Sequence, residues 1–375
     1  MSNRFLYIDD AAPDIRNATA SGLSSSGFLI VTAEEPLAWD TRTSRILGNI
    51  AQIEGVILDW RLTEETNRTG VGVGGTVVKY SAEALAQHLR FLATEGEIKD
   101  IPIVLCSANQ GFKEYYRRDS TGHNLFDEVF EKNDFAEHHE IVVRQLNCLA
   151  EAYKILQTEQ ELSLESIFAN PTNIEIDVRL AGNISTFLGN MVPHELIGFL
   201  QKEIIKKPGI LINEDILAAR LGIDKDASDE WNTLLETVIN PNLKYEGLLS
   251  DGWTRWWADG LIQWWKRDIH PTHPQLRAAK QRVKLIKEKT GVQGLVPAEK
   301  LKFCAESEFW TVCVATKKPL ATSEGLRVQV TNEQPWQDEQ YVSLFAILER
   351  INHDSYKLNP IEKERLANLK RMLKA

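Results

Sequence analysis

The chain reads as an α/β protein: a doubly wound, five-stranded parallel sheet in its first 135 residues, then a mainly helical region and a small α+β unit. Three observations predict this. Short unbroken apolar runs alternate with segments of helical periodicity as far as residue 135. Those runs end in polar or charged residues. Beyond them, helical patterns dominate until two further strand-like runs near the C-terminal end.

Taken in order, "RFLYI" (4–8) is the first strand and ends at Asp9 and Asp10, and Pro13 opens a helix running toward Ser24. "FLIVT" (28–32) is the second strand. In "PLAWDTRTSRILGNIAQI" (36–53), Leu37, Ile46, Leu47 and Ile50 keep helical spacing. "GVILD" (55–59) is the third strand, an apolar run suited to burial on both faces that nevertheless ends in a carboxylate, Asp59. "SAEALAQHLRFLATEG" (81–96) is a helix with Ser81 at its start and Leu85, Leu89 and Leu92 on one face. "IPIVLC" (101–106) is the fourth strand and leads to Ser107; a helix over 111–120 and a fifth strand, "LFDEVF" (125–130), lead to Lys132.

Composition bounds the function. With 375 residues, a net charge of −10 and an ordinary apolar fraction, the chain has room for two or three domains and lacks general attraction for polyanions. Cys106, Cys148, Cys304 and Cys313 are widely spaced without a CxxC pair, which reads as reduced packing thiols. With no apolar run of membrane-span length and no signal-like start, a cytoplasmic protein is expected, with no membrane partner.

In doubly wound sheets, sites form outside the carboxyl ends of the strands. Asp9, Asp10, Asp59, Ser107 and Lys132 are the polar residues there. Three neighbouring carboxylates repel one another unless a hard cation sits among them, and Mg²⁺ prefers oxygen ligands.

"YIDD", "ILDWRL", "VLCSAN" and "FEKND" in residues 1–135 resemble the receiver domain of bacterial two-component response regulators, a flavodoxin-like fold. The resemblance covers roughly a third of the chain and implies that Asp59 accepts a phosphoryl group from a cognate histidine kinase. It implies a Mg²⁺ site made by Asp9, Asp10, Asp59 and the Arg61 backbone carbonyl. Ser107 and Lys132 would bind phosphoryl oxygens, pulling their loops inward. Two positions depart from the pattern. Val129 stands where receivers carry an aromatic switch residue, with Phe130 one place later, and Asn133 stands where proline commonly follows the lysine. The glycine-rich insertion at 63–80 lacks the lysine and hydroxyl of a P-loop and reads as a loop bordering the site.

The remainder is divided as a helical linker (136–162, within one long helix over 135–162), a helical, Trp-rich domain (163–295) and the α+β unit (296–375). His138 and His139 read as exposed structural histidines. Residues 212–238 look like a helix–turn–helix, but seven acidic side chains against Arg220 and Lys225 give the wrong sign for phosphates. Trp253, Trp256, Trp257, Leu261, Trp264 and Trp265 fit one face of a single amphipathic helix, most simply a core stripe. The run 266–289 holds eight basic against two acidic residues, and His270 and His273 lack an acidic or cysteine partner nearby in sequence for a metal site. "EFWTVCVAT" (308–316) and "GLRVQVT" (325–331) read as strands, "YVSLFAILERI" and the segment from Ile361 as helices.

The leading expectation is a phosphoacceptor working through protein contacts with an effector or second regulator, or as a phosphate sink. Sinks of that kind resemble parts of anti-phage relays, so a defence role stays open. Its own chemistry would be limited to Mg²⁺-dependent gain and loss of phosphate, with no separate enzymatic output domain in view. The alternatives are a nucleic-acid-binding regulator, an enzyme with an unrecognised C-terminal site, and an inactive receiver-like docking module. Homodimerisation stays open.

Overall fold

The computed structural model describes residues 2–62, 80–108, 112, 125–159, 161–169 and 175–373. The glycine-rich insertion and the helix expected over 111–120 lie outside the described residues, apart from Tyr80 and Phe112. The chain forms two compact units, one of Met1–Ile167, Gly182–Gln201 and Leu248–Trp253, the other of Phe168–Ala181, Lys202–Gly247 and Thr254–Ala375.

In the first unit the order is β1 (Asn3–Ile8), α1 (Pro13–Ser24), β2 (Leu29–Glu34), α2 (Trp39–Asn49), β3 (Gly55–Asp59), α3 (Ala82–Thr94), β4 (Ile103–Ser107), β5 (Glu128–Glu131), α4 (Asp134–Glu137) and α5 (His139–Thr158). All strand pairs are parallel, in the order β2-β1-β3-β4-β5. This is the flavodoxin-like order, which places a crevice at the carboxyl ends of β1 and β3. Every residue of β3 and β4 is buried, as the apolar runs predict.

Alternation sorts the side chains between two faces. Leu6, Ile8, Val56, Leu58, Ile103 and Leu105 join Ile46, Leu85 and Leu89 in one core. Phe5, Tyr7, Ile57, Asp59, Val104 and Cys106 alternate with them and are equally buried. Gly55 is required where β3 passes Phe5, because a Cβ there would lie 2.2 Å from the ring. Locally, Pro13 begins α1, and Ser81 caps α3 by accepting from the Ala84 amide.

The single helix expected over 135–162 is two helices. The backbone leaves helical geometry at His138 (φ −126°, ψ 33°). His139 Nε2 then donates at 2.8 Å to the Gly22 carbonyl near the end of α1, which also accepts from the Ser25 amide. α5 is tied to the sheet by polar contacts: the Asn3 amide donates to Asn147 and Glu151, and the Tyr153 hydroxyl donates to Asp127 at 2.7 Å.

In the second unit, Asn213 caps the helix Glu214–Leu221, and Gly222 ends it at φ +74°, where a side chain would be strained and would meet Ala279. The second helix of the expected pair starts at Trp231, because Ser228 turns to donate to the Asp224 carbonyl. All of Ile216–Leu221 is buried, so the first helix is a core element. The tryptophan run is not one helix. Trp256 and Trp257 pair with Ile212 and Leu211 in an antiparallel ladder, and helix begins at Ala258. Trp253, Trp256, Trp257, Trp264 and Trp265 are nonetheless all buried. The two late strands shrink to Thr311–Val312 against Pro319–Leu320 and Leu326–Arg327 against Tyr341–Val342. Ser343 caps a helix beginning only at Leu344, and the last helix is Lys363–Met372. No helix among the described residues is long and apolar enough to cross a membrane.

At the amino ends of β4 and β5, Arg90 of α3 is buried between Asp100 and Asp127, at 2.8 and 2.7 Å. Asp127 also accepts from the Ile103 amide and Tyr153. Asp100 accepts from His194, both backbone and ring. Burial alone would raise the Asp100 pKa, but the His194 hydrogen bond and the Arg90 charge hold it below the ordinary value. Removing one partner from such a buried set strands the other charges. Arg90→Met should therefore cost about 3–5 kcal/mol in urea unfolding. Retention of the wild-type midpoint would show that the network holds nothing together.

Candidate functional site

Five residues predicted at strand ends are brought to the carboxyl edge of the sheet. Asp9 and Asp10 follow β1, Asp59 ends β3, Ser107 ends β4 and Lys132 follows β5. Backbone bonds fix the edge: Asp9 N donates to Glu34 O, Trp60 N to Cys106 O, and Lys132 N to Ser107 O. The last of these sets the root of the lysine against β4.

The Lys132 ammonium bridges two strands. Its Nζ lies 2.7 Å from Asp9 Oδ2 and 2.8 Å from Asp59 Oδ1. Asp9 and Asp59 are only 1% and 5% exposed, so each carboxylate needs a counter-charge. Burial acts to depress the lysine's proton affinity, but the surrounding negative charge outweighs it and the pKa rises. The other Asp59 oxygen, Oδ2, accepts from the Arg61 amide at 3.0 Å. Asp9 Oδ1 accepts from the Ala11 amide at 2.8 Å, and Arg16 donates to the Asp9 carbonyl. Ser107 is buried at the end of β4, and its carbonyl holds Lys132.

Asp9, Asp10 and Asp59 each offer a carboxylate oxygen, and these atoms lie within 4.8 Å of one another. Burial, then the charges of Asp59 and Asp9, push the Asp10 pKa up to about 6. Burial foremost raises Asp59 as well, against the opposing effect of Lys132. A close set of carboxylate oxygen donors fits a hard divalent cation such as Mg²⁺. The Arg61 peptide lies against Asp59 through its amide, near enough in sequence to contribute its carbonyl.

Two residues absent from the strand-end pattern also belong here. The Tyr7 hydroxyl, on β1, donates to Asp9 Oδ2. Cys106 is register-paired with Asp59 and fully buried; burial and the Asp59 charge push its thiol pKa well up. The only sequence signal for Tyr7 is a hydroxyl inside an otherwise apolar strand. Beside the site, the Trp60 ring packs on Phe112 at 4.6 Å and its indole donates to Glu83.

The departures at β5 have a geometric consequence. Val129 packs with the α2–α3 core, whereas Phe130 is buried and meets Phe135 with ring centroids 6.0 Å apart. A shift of one residue along a strand reverses the face. Phe130 thus does not replace an aromatic at position 129. Elsewhere, Arg282 of the basic run is fully buried and donates to the Arg220, Phe309 and Ser307 carbonyls, so it is a structural link. His270 and His273 each accept a backbone amide on Nδ1, from Thr272 and Gln275.

No protein-family model and no curated protein matches this chain. Among solved structures, the RcsB response regulator of Salmonella typhimurium is similar at 11% identity with a TM-score of 0.23, over 51% of this chain and 79% of that one. That likeness is too slight to assign a function. The sheet order makes the first unit flavodoxin-like.

Burial of Asp10 beside the Asp59 and Asp9 charges predicts a pH effect. A carboxyl whose folded pKa lies above its unfolded value binds protons more tightly when folded, so its contribution to stability falls as pH rises from about 4 toward about 6. Asp10→Asn should remove that contribution. In EDTA at pH 7 the variant should be more stable by about 1 kcal/mol, a value reduced because Asp10 is partly open to screening solvent. The difference should shrink toward pH 4.5 in urea titrations, and a destabilised variant would contradict the assigned cause.

Proposed function

We propose that this chain is a response regulator whose Asp59 accepts a phosphoryl group from the phosphohistidine of a histidine kinase. The observation supporting this is the meeting of carboxylates from the ends of β1 and β3 with a lysine from the end of β5. The structural clamp of Arg90 sets two carboxylates on one cation; here three carboxylates converge at the carboxyl edge of the sheet, a set that suits uptake of a hard cation beside the nucleophile.

In this reading an Asp59 oxygen attacks phosphorus as the donor's P–N bond breaks, and the bonding pair leaves with the imidazole nitrogen. The Arg61 amide orients the carboxylate by holding Oδ2. Lys132 exchanges its carboxylate partner for a phosphoryl oxygen, and the Ser107 hydroxyl donates to another. Mg²⁺ held by Asp9, Asp10, Asp59 and the Arg61 carbonyl would neutralise the pocket and screen charge on the transferred oxygens. In this reading the output is contact with an effector or second regulator, or the protein acts as a phosphate sink without separate output.

Incubation with acetyl phosphate and Mg²⁺ should add the mass of one phosphoryl group to the intact wild-type protein. Asp59→Asn should gain none, and neither should the wild type in EDTA. If acetyl phosphate and candidate kinases both fail, the phosphoacceptor reading falls and a receiver-shaped docking module remains.

A further inference from the structure

Tyr7 is fully buried on β1, on the same face as Asp9 two residues later. An apolar residue would suit that position; a tyrosine brings a hydroxyl that needs a partner. Its hydroxyl donates to Asp9 Oδ2, the same oxygen that takes Lys132. Asp9 Oδ1 is held by the Ala11 amide. Both side-chain oxygens of Asp9 are thus engaged from within this chain. The arrangement matters when Lys132 leaves. If the lysine turns to a phosphoryl oxygen, Asp9 loses its ammonium partner while its side chain is only 2% exposed. The Tyr7 hydroxyl is then the side-chain donor that stays and keeps the buried carboxylate oriented as a ligand for the cation.

We propose that Tyr7 is a positioning residue: its hydroxyl holds Asp9 in place while Lys132 changes partner, which sets the pocket's affinity for a divalent cation and the lysine's freedom to move. The inference rests on the phosphoacceptor reading and adds to it a buried residue that touches neither donor nor phosphoryl group. Hydrogen-bond partners of metal-ligating carboxylates fix ligand orientation, and their loss typically weakens metal binding by about 10–100-fold.

The test is Mg²⁺ titration calorimetry on the full-length protein, comparing wild type, Tyr7→Phe and Phe5→Leu. Tyr7→Phe removes one oxygen and keeps the ring; Phe5→Leu perturbs packing two residues earlier on the same strand face. Tyr7→Phe should bind Mg²⁺ about tenfold more weakly and accept phosphate from acetyl phosphate more slowly even at saturating Mg²⁺. Phe5→Leu should keep wild-type affinity. Wild-type affinity in a folded Tyr7→Phe overturns the role, as does an equal loss in both variants, which would mean packing alone. If Tyr7→Phe does not fold, the wild-type tyrosine difference absorbance on adding Mg²⁺ decides: a change tracking the calorimetric titration supports the role, and its absence overturns it. A wild type that takes up phosphate but binds no Mg²⁺ sinks this inference alone; one that does neither sinks the phosphoacceptor reading with it.

Discussion

The flavodoxin-like unit depends on the balance struck by one ammonium group against two buried carboxylates. Lys132 reaches Asp9 and Asp59 at near-ideal distance, and without it β1 and β3 would each end in an uncompensated buried charge. Desolvation makes these contacts strong and leaves little tolerance for an unpaired member. The local order follows: the Ser107 carbonyl anchors the lysine's backbone, the Arg61 amide holds the far side of Asp59, and the Ala11 amide and Tyr7 hold Asp9. Asp10, the third carboxylate of the set, carries the raised proton affinity, through burial first and then the charges of Asp59 and Asp9.

Much of this was legible in the sequence because buried parallel strands write themselves as apolar runs, and the residue after each run is placed by the sheet. Asp9, Asp10, Asp59, Ser107 and Lys132 could be read that way. Tyr7 could not, because its role depends on which face of β1 it occupies and on what Asp9 accepts. Arg90, Asp100, Asp127 and Tyr153 were equally hidden. Arg90 and Asp127 are 37 residues apart, and no local pattern marks partners that meet only after the sheet has assembled.

The misreadings have specific causes. Trp253 to Trp265 satisfy helical spacing, but ladder pairing of Trp256 and Trp257 with Leu211 and Ile212 overrides it. Burial was predicted correctly because tryptophans on either element seek the core. The helix expected over 135–162 breaks at His138, where His139 is drawn to the end of α1. In the C-terminal segment, apolar runs long enough for full strands yield ladders of two residues each.

The clamp of Arg90 on Asp100 and Asp127 sits at the amino ends of β4 and β5, while Ser107 and Lys132 sit at or just beyond their carboxyl ends. Sliding either strand along its axis would therefore strain a charge clamp at the root as well as the ladders that join β3, β4 and β5. Past the last ladder pair, Ser107 with Glu131, neither restraint reaches, so compliance along this edge belongs to the chain that follows.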